Sequence, residues 1–242
     1  EALAAGGHGA KDGGRTRGVL LRRAARIAHV QLKDLERAFT LLADALVAFV
    51  DDEALDALEA LASAVGEPAR AEKILTRALA EVFDGPLVRK LLARRAQLRL
   101  SALADKAGAV EDYKRLHELS PTDAVVTERL TELYTELGDH RGMVKLYEDQ
   151  ILRSKDQALR LEIARKVAML WEGELADARE AADAWRRVLR MKAGDPEGTA
   201  GLERAKAAML NRPAAGSEPH AAPKAPASEP RSAMKPEEPP EA

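Results

Sequence analysis

The chain has 242 residues, 46% of them apolar but only 3% aromatic, with 38 basic residues against 40 acidic ones. That balance leaves no global field to draw it onto nucleic acid or anionic lipid, and the lack of cysteine excludes disulfides, thiolate metal sites and cysteine nucleophiles. No apolar run reaches the roughly 18 residues of a membrane-spanning helix, so no membrane insertion is expected. Ala, Leu, Glu and Arg are abundant and strand-like runs of Val, Ile, Thr and Tyr are missing, so the folded part reads as all-α.

In chain order, residues 1–17 come first, within "EALAAGGHGAKDGGRTRG". The stretch is glycine-rich and has no sustained apolar period, so a flexible lead-in is expected. Opening on Glu1 without methionine, the chain reads as a segment of a longer protein. "GGHGAKDGG" is no phosphate loop, since it lacks the G-K-[ST] ending and no apolar strand precedes it.

From residue 18 a repeating pattern takes over. Second helices recur as Ala38/Leu42/Ala45, Ala71/Leu75/Ala78, Ala109/Tyr113/Leu116, Met143/Tyr147/Gln150 and Ala181/Trp185/Val188, with first members 33, 38, 34 and 38 residues apart. Offsets of four and seven put all three members on one helix face. Gly66-Glu67-Pro68, Ala104-Asp105-Lys106, Gly138-Asp139 and Gly173-Glu174 break the chain inside pairs, the glycines suiting a left-handed helix end. Asp51-Asp52, Asp84-Gly85-Pro86, Ser120-Pro121-Thr122-Asp123 and Gly194-Asp195-Pro196 separate the pairs. The spacing predicts five hairpins near 18–49, 52–83, 86–119, 123–154 and 157–192, closed by a capping helix at about 196–210. Gly198 and Gly201 should each weaken that last helix by about 1 kcal/mol relative to alanine. Residues 211–242 hold eight of the twelve prolines and read as a disordered Pro/Ala/Glu-rich tail or linker.

These residues resemble the tetratricopeptide repeat (TPR) family, with its W-x2-L-G-x2-Y, A-x3-F and P positions. Leu130, Tyr134 and Tyr147 match in the hairpin at 123–154, and Ala109, Tyr113 and Pro121 in the one before it. Thr127, Thr131, Met143 and Lys155 depart from the tryptophan, small-residue, alanine and proline places. The resemblance covers roughly residues 18–210 and implies a right-handed α-solenoid, in which each hairpin buries its apolar face on its neighbours. The small residue lets helices approach and the large one fills the gap between repeats, contributing on the order of 1.5–3 kcal/mol when buried.

Candidate chemistry is sparse. His8, His29, His117, His140 and His220 show no metal spacing, and the acidic pairs Asp51-Asp52, Glu180 with Asp183, and Glu237-Glu238 read as caps, solvated faces and linker charge. In "RKLLARRAQLR" the helical wheel sets Lys90 and Arg94 on one side of the apolar face and Arg95 and Arg99 on the other, which suits a salt-bridging helix better than an anion site. No catalytic residues, metal site or cofactor are expected.

The resemblance implies that a partner docks in a concave groove lined by first helices. Candidate groove residues are Lys90, Arg94 and Gln97, then Glu128, Glu132 and Thr135, then Arg165 and Met169. The family's clamp for a C-terminal carboxylate uses Lys, Asn and Arg, whereas Glu128 and Glu132 would repel one, so a peptide or surface of mixed or basic character fits better. The expected role is a non-catalytic protein–protein interaction scaffold or adaptor. A regulatory or spacer segment of a larger enzyme or signalling protein is the alternative, and a helical-repeat RNA binder a distant one, disfavoured by balanced charge and few aromatics. The Ala/Arg-rich, Lys-poor composition suggests a bacterial source, and the default compartment is cytoplasmic.

Overall fold

The structure is a computed structural model that describes residues 2–211, with side chains from Gly13 onward. Of the expected tail at 211–242, Asn211 ends the last helix and residues 212–242 lie outside the described residues, as does residue 1 of the expected lead-in. Within them the chain forms eleven helices and no strand: α1 Ala2–Val30, α2 Leu35–Ala48, α3 Asp52–Val65, α4 Pro68–Glu81, α5 Gly85–Ser101, α6 Lys106–Leu119, α7 Ala124–Leu137, α8 His140–Arg153, α9 Gln157–Glu172, α10 Ala178–Met191 and α11 Pro196–Asn211. Five consecutive pairs and a closing helix make an α-solenoid of TPR-like form.

Aspartate sets the helix starts. Asp34, Asp51, Asp84, Asp105, Asp123, Asp139, Asp156 and Asp177 each accept a hydrogen bond from a backbone N–H in the first turn of the helix they precede, and Asp195 does the same for Gly198. Each cap satisfies a donor that the helix leaves open and stabilises it by about 0.5–2 kcal/mol. α4 departs from this pattern, starting with Pro68 after Glu67, whose side chain makes no cap bond.

Each second helix packs on its own first helix and on the first helix of the next pair, so α2, α4, α6, α8 and α10 are sandwiched between neighbours. The repeat register is visible in burial. Ala38, Leu42, Ala45, Ala71, Leu75, Ala78, Ala109, Leu116, Met143, Ala181, Trp185 and Val188 are buried, while Tyr113, Tyr147 and Gln150 are half-buried. Tyr147 packs against two apolar clusters, one from α6–α8 and one from α8–α11, and so bridges successive repeats.

The uneven 33- and 38-residue intervals have a structural cause. Hairpins two and four turn on a left-handed glycine, Gly66 (φ +72°) and Gly138 (φ +66°), directly before the next helix start. Hairpins one, three and five use a longer turn, in Leu32-Lys33-Asp34, Leu103-Ala104-Asp105 and Leu175-Ala176-Asp177, with the middle residue left-handed. In all three the aspartate N–H reaches back into the preceding helix, to the carbonyls of Ala28, Arg99 and Trp171. These turns follow longer first helices, 17 residues in α5 and 16 in α9 against 14 in α3 and α7. The left-handed residue expected at Gly173 is therefore Ala176, because Gly173 (φ −91°) is still in right-handed geometry.

At the N-terminal end the structure differs from the expected flexible lead-in over 1–17: α1 runs back through the glycine-rich stretch to Ala2. Close packing explains two of the glycines there, Gly14 and Gly18. A Cβ on Gly14 would stand 2.9 Å from the Ala48 carbonyl oxygen, and one on Gly18 would stand 3.2 Å from Phe49 Cβ. Small residues at these points let α1 lie along the end of α2.

Candidate partner-binding face

Charge on the first-helix face is largely matched within the chain. α3 presents Asp52, Asp56 and Glu59, and α5 reaches across with two cations: Lys90 Nζ lies 2.8 Å from Asp52, and Arg94 lies 2.6 Å from Asp56 and 3.2 Å from Glu59. The hydrogen bond from Lys90 holds the Asp52 carboxyl below its ordinary range, whereas burial pushes the Glu59 carboxyl up. The side of α5 carrying Lys90 and Arg94 is thus salt-bridging. Gln97, one turn further on, is exposed.

On α7, Glu128 is exposed and makes no ion pair among the described residues, Glu132 pairs with Arg129 at 2.5 Å, and the Thr135 hydroxyl donates to the Thr131 carbonyl at 2.8 Å. Among the described residues no ion pair joins α7 to α5 or α9. On α9, Arg165 binds Asp195 and lies 3.3 Å from Glu197, tying α9 to the start of α11. That bond is the main reason the Asp195 carboxyl lies below its ordinary range, with the Gly198 N–H adding to it. Met169, 46% exposed, lines a cleft of about 280 Å³ with Met143, Tyr147 and Leu170. The structure therefore brings Lys90 with Arg94 onto one ridge and Glu128 with Glu132 onto another. Among the described residues it leaves Gln97, Glu128 and Met169 as the candidates whose side chains make no polar bond.

A larger opening lies where sequence reasoning placed no candidate. Between α1 and α3 a cleft of about 570 Å³ has a small apolar floor, Ala25, Ala57, Ala60 and Leu61, and a rim of Arg22, Arg23, Arg26 and His29. Arg22 is held by both Asp51 oxygens at 2.9 Å and by Glu53. Arg23 and Arg26 are exposed and have no ion pair among the described residues. The signal was present in "RRAARIAH", whose Arg22, Arg26 and His29 fall on one helix face.

Two polar clusters elsewhere have structural explanations. Thr127, His117 and Asp149 stand in hydroxyl, imidazole, carboxylate order, with His117 Nε2 3.1 Å from Asp149 and Nδ1 3.5 Å from the Thr127 hydroxyl. That hydroxyl donates instead to the Asp123 carbonyl at 3.0 Å, so the group ties α6, α7 and α8 together and activates no nucleophile. The other is Arg95 and Asp112, the side of α5 opposite Lys90 and Arg94, both buried and mutually bonded. Among the described residues no group of three His, Cys, Asp or Glu could hold a metal ion.

No protein-family profile matches the chain, and none of the curated proteins does. Among solved structures it is similar to a thermophilic TPR protein of Thermus thermophilus, at 17% identity and a TM-score of 0.29, over 80% of this chain and 99% of that one. The TPR-like description rests on this chain's own repeated helix pairs.

Proposed function

We propose that the chain is a non-catalytic interaction scaffold that holds a segment of a partner protein along its first-helix face. The observation that carries this reading is the open α1/α3 cleft, with its small apolar floor and, on its rim, Arg23 and Arg26 without an ion pair among the described residues. Lys90 with Arg94, Glu128 and Met169 belong to the later first helices α5, α7 and α9, so on this reading a bound segment would meet cationic, neutralised and acidic stretches in turn. Such alternation favours a partner of mixed charge and gives it a direction along the array.

The test is a set of surface variants of the full chain against peptides selected for binding to it. Ala60→Arg fills the cleft, and Glu128→Lys with Glu132→Lys inverts the acidic ridge. Each should weaken the selected peptides by roughly tenfold or more, whereas Arg141→Glu on α8 should leave them unchanged. Equal affinity for all variants would move binding off the first-helix face.

A further inference from the structure

Helices α3–α6 and α7–α10 repeat each other, each starting 72 residues after its counterpart: α3 at 52 and α7 at 124, α4 at 68 and α8 at 140, α5 at 85 and α9 at 157, α6 at 106 and α10 at 178. Equivalent side chains can therefore be compared one by one. In the second block Tyr134 is buried in the cluster formed by α6, α7 and α8, and Leu170 of α9 packs against that cluster. His140 Nε2 stands 3.5 Å from Glu174, just past the end of α9. The counterparts of Tyr134, His140, Leu170 and Glu174 in the first block are Ala62, Pro68, Leu98 and Ala102. Three of the four side chains are smaller, and these four residues line an open cleft of about 370 Å³ between α3 and α5. The counterpart junction of the second block keeps about 280 Å³, lined by Leu170 and Glu174 together with Met169 and Tyr147.

The cleft has a polar edge, made by partly buried Glu59 and exposed Ser63. Glu59 Oε2 accepts from Arg94 at 3.2 Å, but Arg94 also serves Asp56 at 2.6 Å and lies 3.8 Å from Asp52. The other oxygen, Oε1, has no hydrogen bond among the described residues. α3 itself carries Asp52, Glu53, Asp56 and Glu59 and no cation. A partly desolvated carboxylate with an open oxygen, set beside an apolar wall, favours a group with an apolar body and a donor at its tip, and it disfavours an anion. Burial pushes the Glu59 carboxyl above its ordinary range, as expected of a carboxylate short of donors.

We propose that the α3/α5 cleft seats a tyrosine side chain of the partner segment, its ring against Ala62 and Leu98 and its hydroxyl donating to Glu59. The fold supplies the precedent, since the place of Ala62 in the first block is held by Tyr134 in the second. Glu59 repels an acidic or phosphorylated side chain, and a plain aliphatic one leaves its open oxygen without a donor. The inference rests on the scaffold reading and adds the chemistry of one anchor. Its cleft shares no lining residue with the α1/α3 opening that carries that reading.

The experiment has two arms, both on the full chain. The first titrates p-cresol, the tyrosine side chain as a free molecule, and follows the methyl resonances of Ala62, Leu98 and Ala102. The shifts should saturate, with toluene binding about three- to tenfold more weakly and p-tolyl phosphate not at all. Glu59→Ala should make p-cresol and toluene equal, and Ala102→Arg, at an exposed position, should abolish the shifts with helicity and melting unchanged. The second arm selects linear peptides for binding. Tyrosine should recur among the winners; its replacement by alanine, its phosphorylation, and Ala102→Arg in the chain should each cost roughly tenfold or more in affinity. Shifts confined to other parts of the chain, equal binding of p-cresol and toluene to the unaltered chain, or winners without tyrosine would overturn the proposal. Peptides weakened by Ala60→Arg or by Glu128→Lys/Glu132→Lys but indifferent to Ala102→Arg would leave the scaffold reading standing and remove this one. Phenol binding in the cleft with no peptide selected at all would sink the scaffold reading and, with it, a partner's tyrosine as the occupant.

Discussion

Where α10 meets α11 the Trp185 ring is fully buried among Ala181, Ala182, Val188 and Ala205, and its only polar atom donates to Glu172 at 2.9 Å. Where α4, α5 and α6 meet, the corresponding space holds charge. Arg95 Nε lies 3.0 Å from Asp112 and its Nη1 2.8 Å from the Thr76 hydroxyl, while Arg99 lies 2.9 Å from Asp112 and 2.6 Å from Glu72. Glu72 stands one residue after the small residue of its helix, where the other second helices have Phe39, Val110, Val144 and Ala182. Asp112 stands three residues after it, where they have Leu41, Ile74, Leu146 and Ala184. Two apolar positions of the repeat have become acidic, and two arginines on the helix between them supply the counter-charge. The difference teaches that one repeat geometry accepts two kinds of filling with opposite failure modes. An apolar joint fails by cavity, whereas an ionic one fails when a single partner is removed and tolerates removal of both.

The largest effects should come from breaking each joint in its own way. Trp185→Ala should cost about 3–5 kcal/mol in a urea melt, since it removes a fully buried ring from the packed joint. Asp112→Ala should cost a similar ~3–5 kcal/mol because Arg95 would be left buried without its counter-charge. The double change Arg95→Met/Asp112→Leu should recover most of that loss, and a double variant as unstable as the single one would contradict the ionic account.

Gly201→Ala sharpens the comparison at the next level. A Cβ there would run into the Trp185 ring, so the substitution should cost about 1–3 kcal/mol despite alanine's better helix propensity. The same swap at Gly85, where an added Cβ would come no closer than 4.0 Å to another group, should not overpack its surroundings.

Acid should act on the C-terminal joint next. Glu172 is held below the ordinary carboxylate range by Arg204 and, to a smaller extent, by Trp185, and Asp195 by Arg165. A depressed folded-state pKa contributes stability that is complete above the unfolded carboxylate range, about pH 4, and is lost as pH falls through the folded value. Glu59 in α3 has the opposite sign, since burial raises its pKa and penalises the folded state as pH rises past it, and it offsets there the depressed carboxyl of exposed Asp52. Acidification from neutral pH to about pH 3 should therefore loosen α9–α11 more than α3, as measured by amide exchange. The smallest effect belongs to the exposed α3–α5 ridge, where Lys90→Ala/Arg94→Ala should cost under about 1 kcal/mol, and less at high salt.

Much of this architecture was legible because hairpin boundaries are written in local chemistry. The aspartate breaks became helix caps, and the small/large register fell on buried faces. What escaped was coded in pairs of distant residues. The acids of the central joint look like surface charge until Arg95 and Arg99 are brought to them, and Gly201 reads as a helix weakness until Trp185 lies against it. The three Leu-x-Asp turns share Leu and Asp at fixed spacing; the break at Ala104-Asp105 was legible, whereas Leu32-Lys33-Asp34 carries no glycine and Gly173 stands just before Leu175-Ala176-Asp177. For the candidate site, the sequence located the first-helix residues on α5, α7 and α9. It pointed to a salt-bridging helix at Lys90 and Arg94 but did not reveal which acids on neighbouring helices they and Arg165 meet, nor that the larger cleft lies on α1.

The most direct test of the two-joint account is amide hydrogen exchange resolved by helix, comparing the unaltered chain with Asp112→Ala and Trp185→Ala. Stability that is a sum over neighbouring helices predicts faster exchange in α4–α6 for the first variant and in α9–α11 for the second, with the distant joint still protected. Uniform loss of protection along the whole array in both variants would contradict it.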